Sequence, residues 1–413
     1  MTREQFLKHN GTALTGMLLL NSPLLAGLQN FSPADDKGSE STSKTGASAL
    51  TLFLCGDVMT GRGIDQVLPY SVSPELKERF VKDAREYVKL AEKKHGEIPG
   101  EVSYKYIWGD ALKILSQANT DVRIINLETA VTTNIEYWPR KGVHYRMHPK
   151  NIPLFKTAGI DVCILGNNHV LDFGYAGLRE TLNSLHEEGI KTAGAGINRN
   201  QASEPAIINT NSGRLLVFSY GSTTSGVPGT WEASQSEAGV NLLTDLTKET
   251  SRQIIDTVER YRKPKDRVLI SIHWGSNWGY QIPPAQKEFA HRLIDEGAAD
   301  IIHGHSSHHP KGIEVYKKRP IIYGAGDLIN DYEGIGGRAK YRDDLSLMYF
   351  PKLDASGVLQ SLKMKPMHIK QFQLGQATEE ETEWLTDMLD RECNKLGSSV
   401  ILQPDGSLEL KWN

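Results

Sequence analysis

The sequence predicts an α/β layered fold built on mixed sheets. Stretches of helical periodicity alternate with short apolar runs along most of the 413 residues, as helices laid against sheets require. Several runs are apolar throughout, the pattern of strands buried on both faces. Towards the C-terminus the pattern changes to strand pairs joined by short turns, so part of the pairing is antiparallel.

The first 48 residues stand apart from that pattern. Arg3 and Lys8 precede an apolar segment from Ala13 to Leu28, which has the shape of a secretory leader over residues 1–29. Pro23 and Asn21–Ser22 interrupt it, which argues against an integral membrane span; an N-terminal helix of the mature chain is the alternative. Residues 30–48 are polar and rich in Ser, Gly and Lys, and read as a flexible linker. The folded domain is expected over 49–413.

That domain opens with ALTLFLCGDVMTG, a buried strand running into a tight turn. Helices follow over 81–97 and 108–118, then the strand DVRIINLETAV, a short helix at NIPLFKTAGI and the strand DVCILGNNHVLD. Leu178, Leu182 and Leu185 share one face of the next helix. Strands are expected at 206–209 and RLLVFSYG, and the polar stretch 220–240 is a long surface loop close to the functional site. The second half repeats the theme: helix SRQIIDTVERYR, strand RVLISIHWG, helix PAQKEFAHRLIDEGA with Pro at its start, and strand ADIIHGHSSHHP. Strands IEVYKKR and PIIYGAG flank a basic turn, and antiparallel strands meet near Ala355–Ser356–Gly357. A late helix begins behind Thr378 with acids in its first turn.

Composition excludes several classes of function. The formal charge is -3 and the pI about 6.5, which gives no general surface for nucleic acid or membrane. Three cysteines make no disulfide framework. Cys55 and Cys163 sit inside apolar runs and read as buried free thiols rather than nucleophiles or zinc ligands. There is no P-loop and no serine elbow, and GAGINRN and GAGD lack the strand context of a dinucleotide fingerprint.

Function is written at the strand ends. Five strands finish in metal- or acid-type groups: Asp57; Asn126 and Glu128; Asn167, Asn168 and His169; His273; and the cluster His303, His305, His308 and His309. In α/β sheets ligands bind at the carboxyl ends of strands. Carboxylates and imidazoles gathered there are costly unless something compensates them, and a divalent metal does so. One or two ions fit, and carboxylate, amide and imidazole donors suit Zn, Mn or Fe. Asp57 could equally cap a turn, Glu128 could cap the next element, and His273 could be a satisfied structural histidine. Asn168 is a candidate for holding a metal or a substrate oxygen, His169 for polarising a leaving group, and Asp172 for orienting His169. Arg62 and Arg146 are candidate anion clamps, with ordinary surface arginine the equal reading for Arg62.

Taken in order, GD, NLE, GNNHVLDFG, HWG, GHSSHHPKGIEVY and YGAGDLI resemble the bacterial capsule-synthesis family CapA, associated with poly-gamma-glutamate production, over roughly residues 51–330. That family in turn resembles the calcineurin-like metallophosphoesterases. The resemblance implies a four-layer αββα sandwich with a metal site across the sheet ends. By it Asp57, Glu128, Asn168, His273, His305 and His308 are metal ligands, and His169 with Asp172 and Asn168 is catalytic. The metallophosphoesterase Asp-x-His string is here Asp57–Val58–Met59, so its first histidine is missing. GHSSH carries one residue more than the usual GHxH, and the position of GIEVY favours His305 and His308 over His303 and His305. The implied activity is that of an exported metal-dependent hydrolase whose activated water attacks a phosphoester or a gamma-glutamyl amide. Its substrate would be an anionic polymer or small molecule, and its partners the capsule-synthesis machinery. The alternative is a non-catalytic polymer-binding or accessory component.

Overall fold

The chain first lays four parallel strands side by side in the computed structural model, which describes residues 49–335 and 339–413. The expected leader and linker lie outside the described residues. Strands β1 (Leu50–Val58), β2 (Val122–Leu127), β3 (Val162–Ile164) and β4 (Lys191–Ala193) pair in that order. Their connections carry helices α1 (Arg85–His95), α2 (Ala111–Gln117) and α3 (Gly174–Glu187).

A second sheet follows, from β5 (Ala206–Thr210), β6 (Gly213–Ser222), β7 (Leu242–Leu243), β8 (Arg267–His273), β9 (Ile301–His305), β10 (Ile313–Tyr316) and β11 (Arg319–Ile322). Its spatial order is β7-β6-β8-β9-β11-β10, with β5 antiparallel on β6. Helices α4 (Lys248–Tyr261) and α5 (Pro284–Asp295) connect its central parallel strands. The chain then returns to the first sheet. β12 (Asp327–Ile329) lies parallel beside β1, and β13 (Leu345–Leu353) runs antiparallel to β1. β14 (Leu359–Lys370), β15 (Gln373–Gln376), β16 (Ser398–Leu402) and β17 (Leu408–Trp412) extend that edge by antiparallel pairing. Helix α6 (Glu379–Asn394) starts at a capping box between Thr378 and Glu381, a device worth about 1 kcal/mol.

Strand alternation sorts the core into three apolar layers. Leu52, Leu54, Ile124, Val162 and Ile164 of the first sheet meet Leu215, Val217, Leu269 and Ile301 of the second in the central layer. Phe53, Cys55, Ile125, Leu127 and Cys163 point the other way, into a helical layer with Leu115, Leu178, Leu182 and Leu185. Leu216, Phe218, Val268, Ile270 and Ile302 turn outward onto Ile254, Val258, Phe289 and Leu293. The result is the four-layer αββα sandwich with mixed sheets that the sequence resemblance implies. α6 closes the sandwich by placing Leu385, Met388 and Leu389 in the central layer.

Cys55 and Cys163 are buried and free, as expected, and Cys393 joins them. Burial pushes all three thiols up, away from nucleophilic character. Among the described residues no helix is long and apolar enough to cross a membrane.

The central layer sets the stability of the sandwich. Leu269→Ala, at a side chain with no solvent exposure, is expected to destabilise by about 2–5 kcal/mol in urea unfolding. Ile401→Ala, at an exposed position, should change it by less than about 0.5 kcal/mol.

Candidate metal centre

Parity along the strands aims polar groups into the seam between the sheets. On β8, Leu269 lies in the central layer, so Ser271 and His273 project from the same side. On β9, Ile301 does the same for His303 and His305. On β2, Ile124 sets the direction of Asn126. β1 needs a correction, because Leu52 and Leu54 would place position 56 rather than 57 in the seam. An irregularity supplies it: Leu54 and Asp57 align with Ile124 and Asn126, so three steps on β1 match two on β2. Such a bulge re-aims a side chain, and Asp57 comes to lie beside Asn126. Gly56 makes the close approach of β12 possible, since a Cβ there would sit 1.7 Å from the Gly326 carbonyl oxygen.

Asp57 is the hub. It is completely buried and accepts a hydrogen bond from Asn126 Nδ2 at Oδ1 (2.7 Å). His305 Nδ1 and His273 Nδ1 lie 3.7 and 4.0 Å from Oδ1. The two imidazoles face each other, Nδ1 to Nδ1, at 2.7 Å. His273 Nε2 lies 3.0 Å from Asn168 Oδ1 and 3.8 Å from Glu128 Oε1. Ser271 Oγ anchors His305 through Nε2 (2.8 Å) and also meets His303 Nδ1 (3.1 Å). His308 stands on the other side of Asp57, with Nδ1 4.0 Å from Oδ2 and 2.8 Å from Asp327 Oδ1.

A hydrogen-bonded pair, His169 and Asp172, borders this cluster. Asp172 Oδ2 accepts from the Tyr145 amide (2.7 Å) and lies 2.6 Å from His169 Nδ1. With Nδ1 held by Asp172, His169 Nε2 points at Glu128 Oε1, 3.6 Å away. Lys141 Nζ bonds Asp172 and lies 2.9 Å from His169 Nδ1. Burial lowers His169 to about 4 against the pull of Asp172, so its ring is neutral at pH 7. Burial opposes ionisation of Asp172 as well, but His169 and Lys141 hold its carboxyl below the usual range. Asn167, the additional asparagine of GNNH, shapes the turn: it caps the His169 and Val170 amides (3.0 and 3.2 Å) and donates to Asn126 (3.1 Å).

The two arginines do not join the cluster. Arg62 is buried and gives its donors to Asp331, Glu78 (3.0 Å) and Tyr87 (3.0 Å). Its guanidinium also lies over the Tyr145 ring, 4.5 Å from the centroid, and Tyr145 packs edge-on against His169. These surroundings replace the anion-clamp expectation with a buried structural ion pair behind the site wall. Arg146 donates to the carbonyls of Asn134 (2.6 Å) and Ser73 (3.2 Å) and lies over Phe173, so it ties loops together. His303 stays behind Ser271, and His309 stacks on Tyr341. The loop at 220–240 does reach the site, where Ser225 Oγ donates to the His273 carbonyl (2.7 Å).

Two residues escaped the sequence reading. Asp327 has a signal, the GAGD string at a strand end, but its glycines resemble a dinucleotide turn more than a ligand position. Lys141 had none, because it lies in an irregular stretch whose fold places it against Asp172.

The donor set fits a divalent ion. Asp57, His273 and His305 each offer one ligand atom, all within 4.8 Å of one another. Asp57 Oδ2 and Glu128 Oε2 are buried and receive no hydrogen bond from the described residues, which is costly without a cation. Burial first, then the Asp327 charge, pushes Asp57 up to about 7. Burial and the Asp57 charge raise Glu128 too. Burial keeps His273 and His305 neutral, the form that ligates metal.

Fold and site together define a class: a four-layer α/β protein with a buried carboxylate–histidine centre at its strand ends. By sequence the chain belongs to the bacterial capsule synthesis protein family PGA_cap, which matches residues 51–332. It is 44% identical over 364 residues to a Mycobacterium tuberculosis protein named "Probable polyglutamine synthesis accessory protein", covering 87% of this chain and 96% of the relative. It is 26% identical over 223 residues to the capsule biosynthesis protein CapA of Bacillus anthracis, covering 53% of this chain and 51% of that one. A 5'-nucleotidase precursor structure from Thermus thermophilus aligns with 81% of this chain and 55% of its own at 12% identity, with a TM-score of 0.40.

Two outcomes follow from the geometry. Asp331→Ala leaves Arg62 buried without its main partner, and should destabilise by about 3–5 kcal/mol in denaturant unfolding while bound metal at saturating ion is unchanged. The second concerns pH. A carboxyl titrating near 7 when folded and near 4 when unfolded retains a proton that the unfolded chain has released. In metal-free protein the contribution of Asp57 to stability should therefore fall as pH rises from about 4 to about 7, while the histidines that burial holds neutral contribute with the opposite sign. Stabilisation by added Mn2+ should grow over the same window, because the ion displaces the Asp57 proton. The difference in melting temperature between the unaltered chain and Asp57→Asn in EDTA, and the gain on adding Mn2+ to the unaltered chain, each followed across a pH series, check the two signs.

Proposed function

We propose that this chain is a metal-dependent hydrolase serving capsule or poly-gamma-glutamate metabolism, and that it cleaves a gamma-glutamyl amide. The observation that carries this reading is the position of His169. Its Nε2 faces Glu128 at the edge of the Asp57–His273–His305 group, while Asp172 holds its other nitrogen. A divalent ion bound there supplies a Lewis acid and lowers the pKa of water. His169 Nε2 exchanges the proton with the leaving group, and Asp172 fixes the ring's orientation and tautomer. Lys141 keeps Asp172 ionised. Asn168, 3.0 Å from His273, orients that ligand or a substrate oxygen.

The lack of a guanidinium clamp supports an amide over a phosphoester. Arg62 and Arg146 are engaged elsewhere, so neither is placed to hold a phosphate, while a bound dication offsets the carboxylates for either substrate. The names of the relatives supply the polymer context and suggest work at the cell surface, after export and beside the capsule-synthesis machinery. Those names also describe biosynthesis and accessory roles, which favours a second reading: a polymer-binding component that retains the fold without turnover.

The test is a panel of gamma-glutamyl peptides, poly-gamma-glutamate and phosphoesters, each run with Mn2+ or Zn2+. Gamma-glutamyl cleavage is expected, and His169→Ala should reduce kcat by about 10²–10⁴ with metal content retained. Turnover on phosphoesters alone would replace the amide assignment. Polymer binding without turnover, unchanged in His169→Ala, would establish the accessory reading instead.

A further inference from the structure

Beside the β7 edge of the second sheet lies a cavity of about 270 Å3. It is enclosed by the helical turn Arg199–Ser203, the stretch from Glu232 to β7, and α4. Arg199, Tyr220, Glu232, Asn241 and Arg260 line it. Strand parity puts it on the opposite face of the sheet from the metal centre. Val217 and Leu269 are register partners in the central layer, so their partners four residues on, Gly221 and His273, share that face. Tyr220 lies on the other face with Leu216 and Phe218. The loop after β6 divides in the same way. Trp231 packs edge-on against Trp138 (5.4 Å), with Lys141 Nζ 5.5 Å from its ring centroid, and Glu232 turns to the cavity.

We propose that this cavity binds a small acidic amino acid, free or at the amino end of an acidic chain. The assignment needs neither turnover nor a metal ion. The charges lining the cavity carry it. They are two guanidiniums and one carboxylate, the complement of two carboxylates and one ammonium. A ligand such as glutamate, with one net negative charge, leaves the filled site neutral. The size agrees. The cavity lies near the lower end of the range of about 300–1,000 Å3 usual for small-molecule pockets, so it takes one amino acid or a chain end rather than a length of polymer.

Both arginines have donors to spare. Arg260 forms no ion pair among the described residues and gives one hydrogen bond, to Thr257 Oγ1 (2.9 Å). Arg199 gives Nε to the Ala233 carbonyl (3.3 Å) and faces Glu232 at 3.7 Å. That pair is exposed and long, so it contributes little and is readily exchanged for ligand. A guanidinium holds a carboxylate through paired N–H bonds, and Glu232 released from Arg199 is free to accept the ammonium. Two neutral groups steady the floor. Asn241 Nδ2 donates to the Ser219 carbonyl (2.9 Å), and burial raises the Tyr220 hydroxyl, so it stays protonated. Leu242 and Ile254 lie among these groups and suit the methylenes of the ligand.

Calorimetric titration of the full chain in EDTA tests the assignment. The probes are L-glutamate and γ-glutamylglutamate. The controls are glutarate, which keeps both carboxylates and lacks the ammonium, and inorganic phosphate. One equivalent of probe is expected, with both controls weaker by about tenfold or more. Tighter binding of glutamate identifies the free amino acid as the ligand, and tighter binding of the dipeptide identifies the chain end. Arg199→Gln and Arg260→Gln, both at exposed positions, should each weaken the probe about tenfold or more, with the circular dichroism spectrum and Mn2+ uptake unchanged. Glu232→Gln should remove the preference for glutamate over glutarate. The absence of saturable binding by either probe would overturn the proposal. So would full affinity in both arginine variants, or phosphate bound as tightly as the probes. Binding that requires Mn2+ would place the ligand at the metal centre and overturn it as well.

Discussion

A fully buried carboxylate at the seam of two sheets imposes the strongest constraint on this molecule. Ionised Asp57 cannot be carried into an apolar interior without compensation, and its one strong neutral donor is Asn126. The remaining neighbours are acids that worsen the cost, the imidazoles of His273 and His305 that burial keeps neutral, and His308, whose charge offsets only part of it. Much local architecture follows from placing it there. The β1 irregularity turns it into the seam, Gly56 admits β12 beside it, and the parallel strands of both sheets bring their carboxyl ends to it.

Around that hub lies a ring of neutral hydrogen-bonding groups that fix direction without adding charge. Asn167 holds Asn126, Ser271 holds His305, Asn330 holds Asp327, and Asn277 holds His308. Polar networks in a low-dielectric interior rigidify a site when their members are satisfied. The unsatisfied oxygens Asp57 Oδ2 and Glu128 Oε2 therefore carry information, because no donor among the described residues reaches them. The buried pair Arg62–Asp331 serves differently. It joins the segment after β1 to the segment after β12 and supports Tyr145, which packs against His169.

Much of this was legible in the sequence because strand-end residues inherit their direction from apolar neighbours. Leu269 and Ile301 determine where His273, His303 and His305 point, and the run of alternating helices and strands gives the layers. Pairings distant along the chain were not legible. Arg62 read equally as an anion clamp or a surface arginine because Asp331 lies 269 positions away. Asp327 sits on a strand of three residues, too short for periodicity to register, and its role depends on pairing with β1. Lys141 belongs to a stretch of irregular backbone, where neither period nor turn chemistry fixes the direction of a side chain. The turn of β1 that re-aims Asp57 was invisible too, since alternation alone directs the seam to position 56.

The central claim is that Asp57 organises a metal centre between the sheets. Crystals grown with Mn2+, measured above and below the manganese absorption edge, test it most directly. The account predicts an anomalous peak in the seam at about 2.0–2.3 Å from an Asp57 oxygen and from nitrogens of His273 and His305. A seam with no anomalous density, in crystals where manganese is seen only on exposed carboxylates, would contradict it.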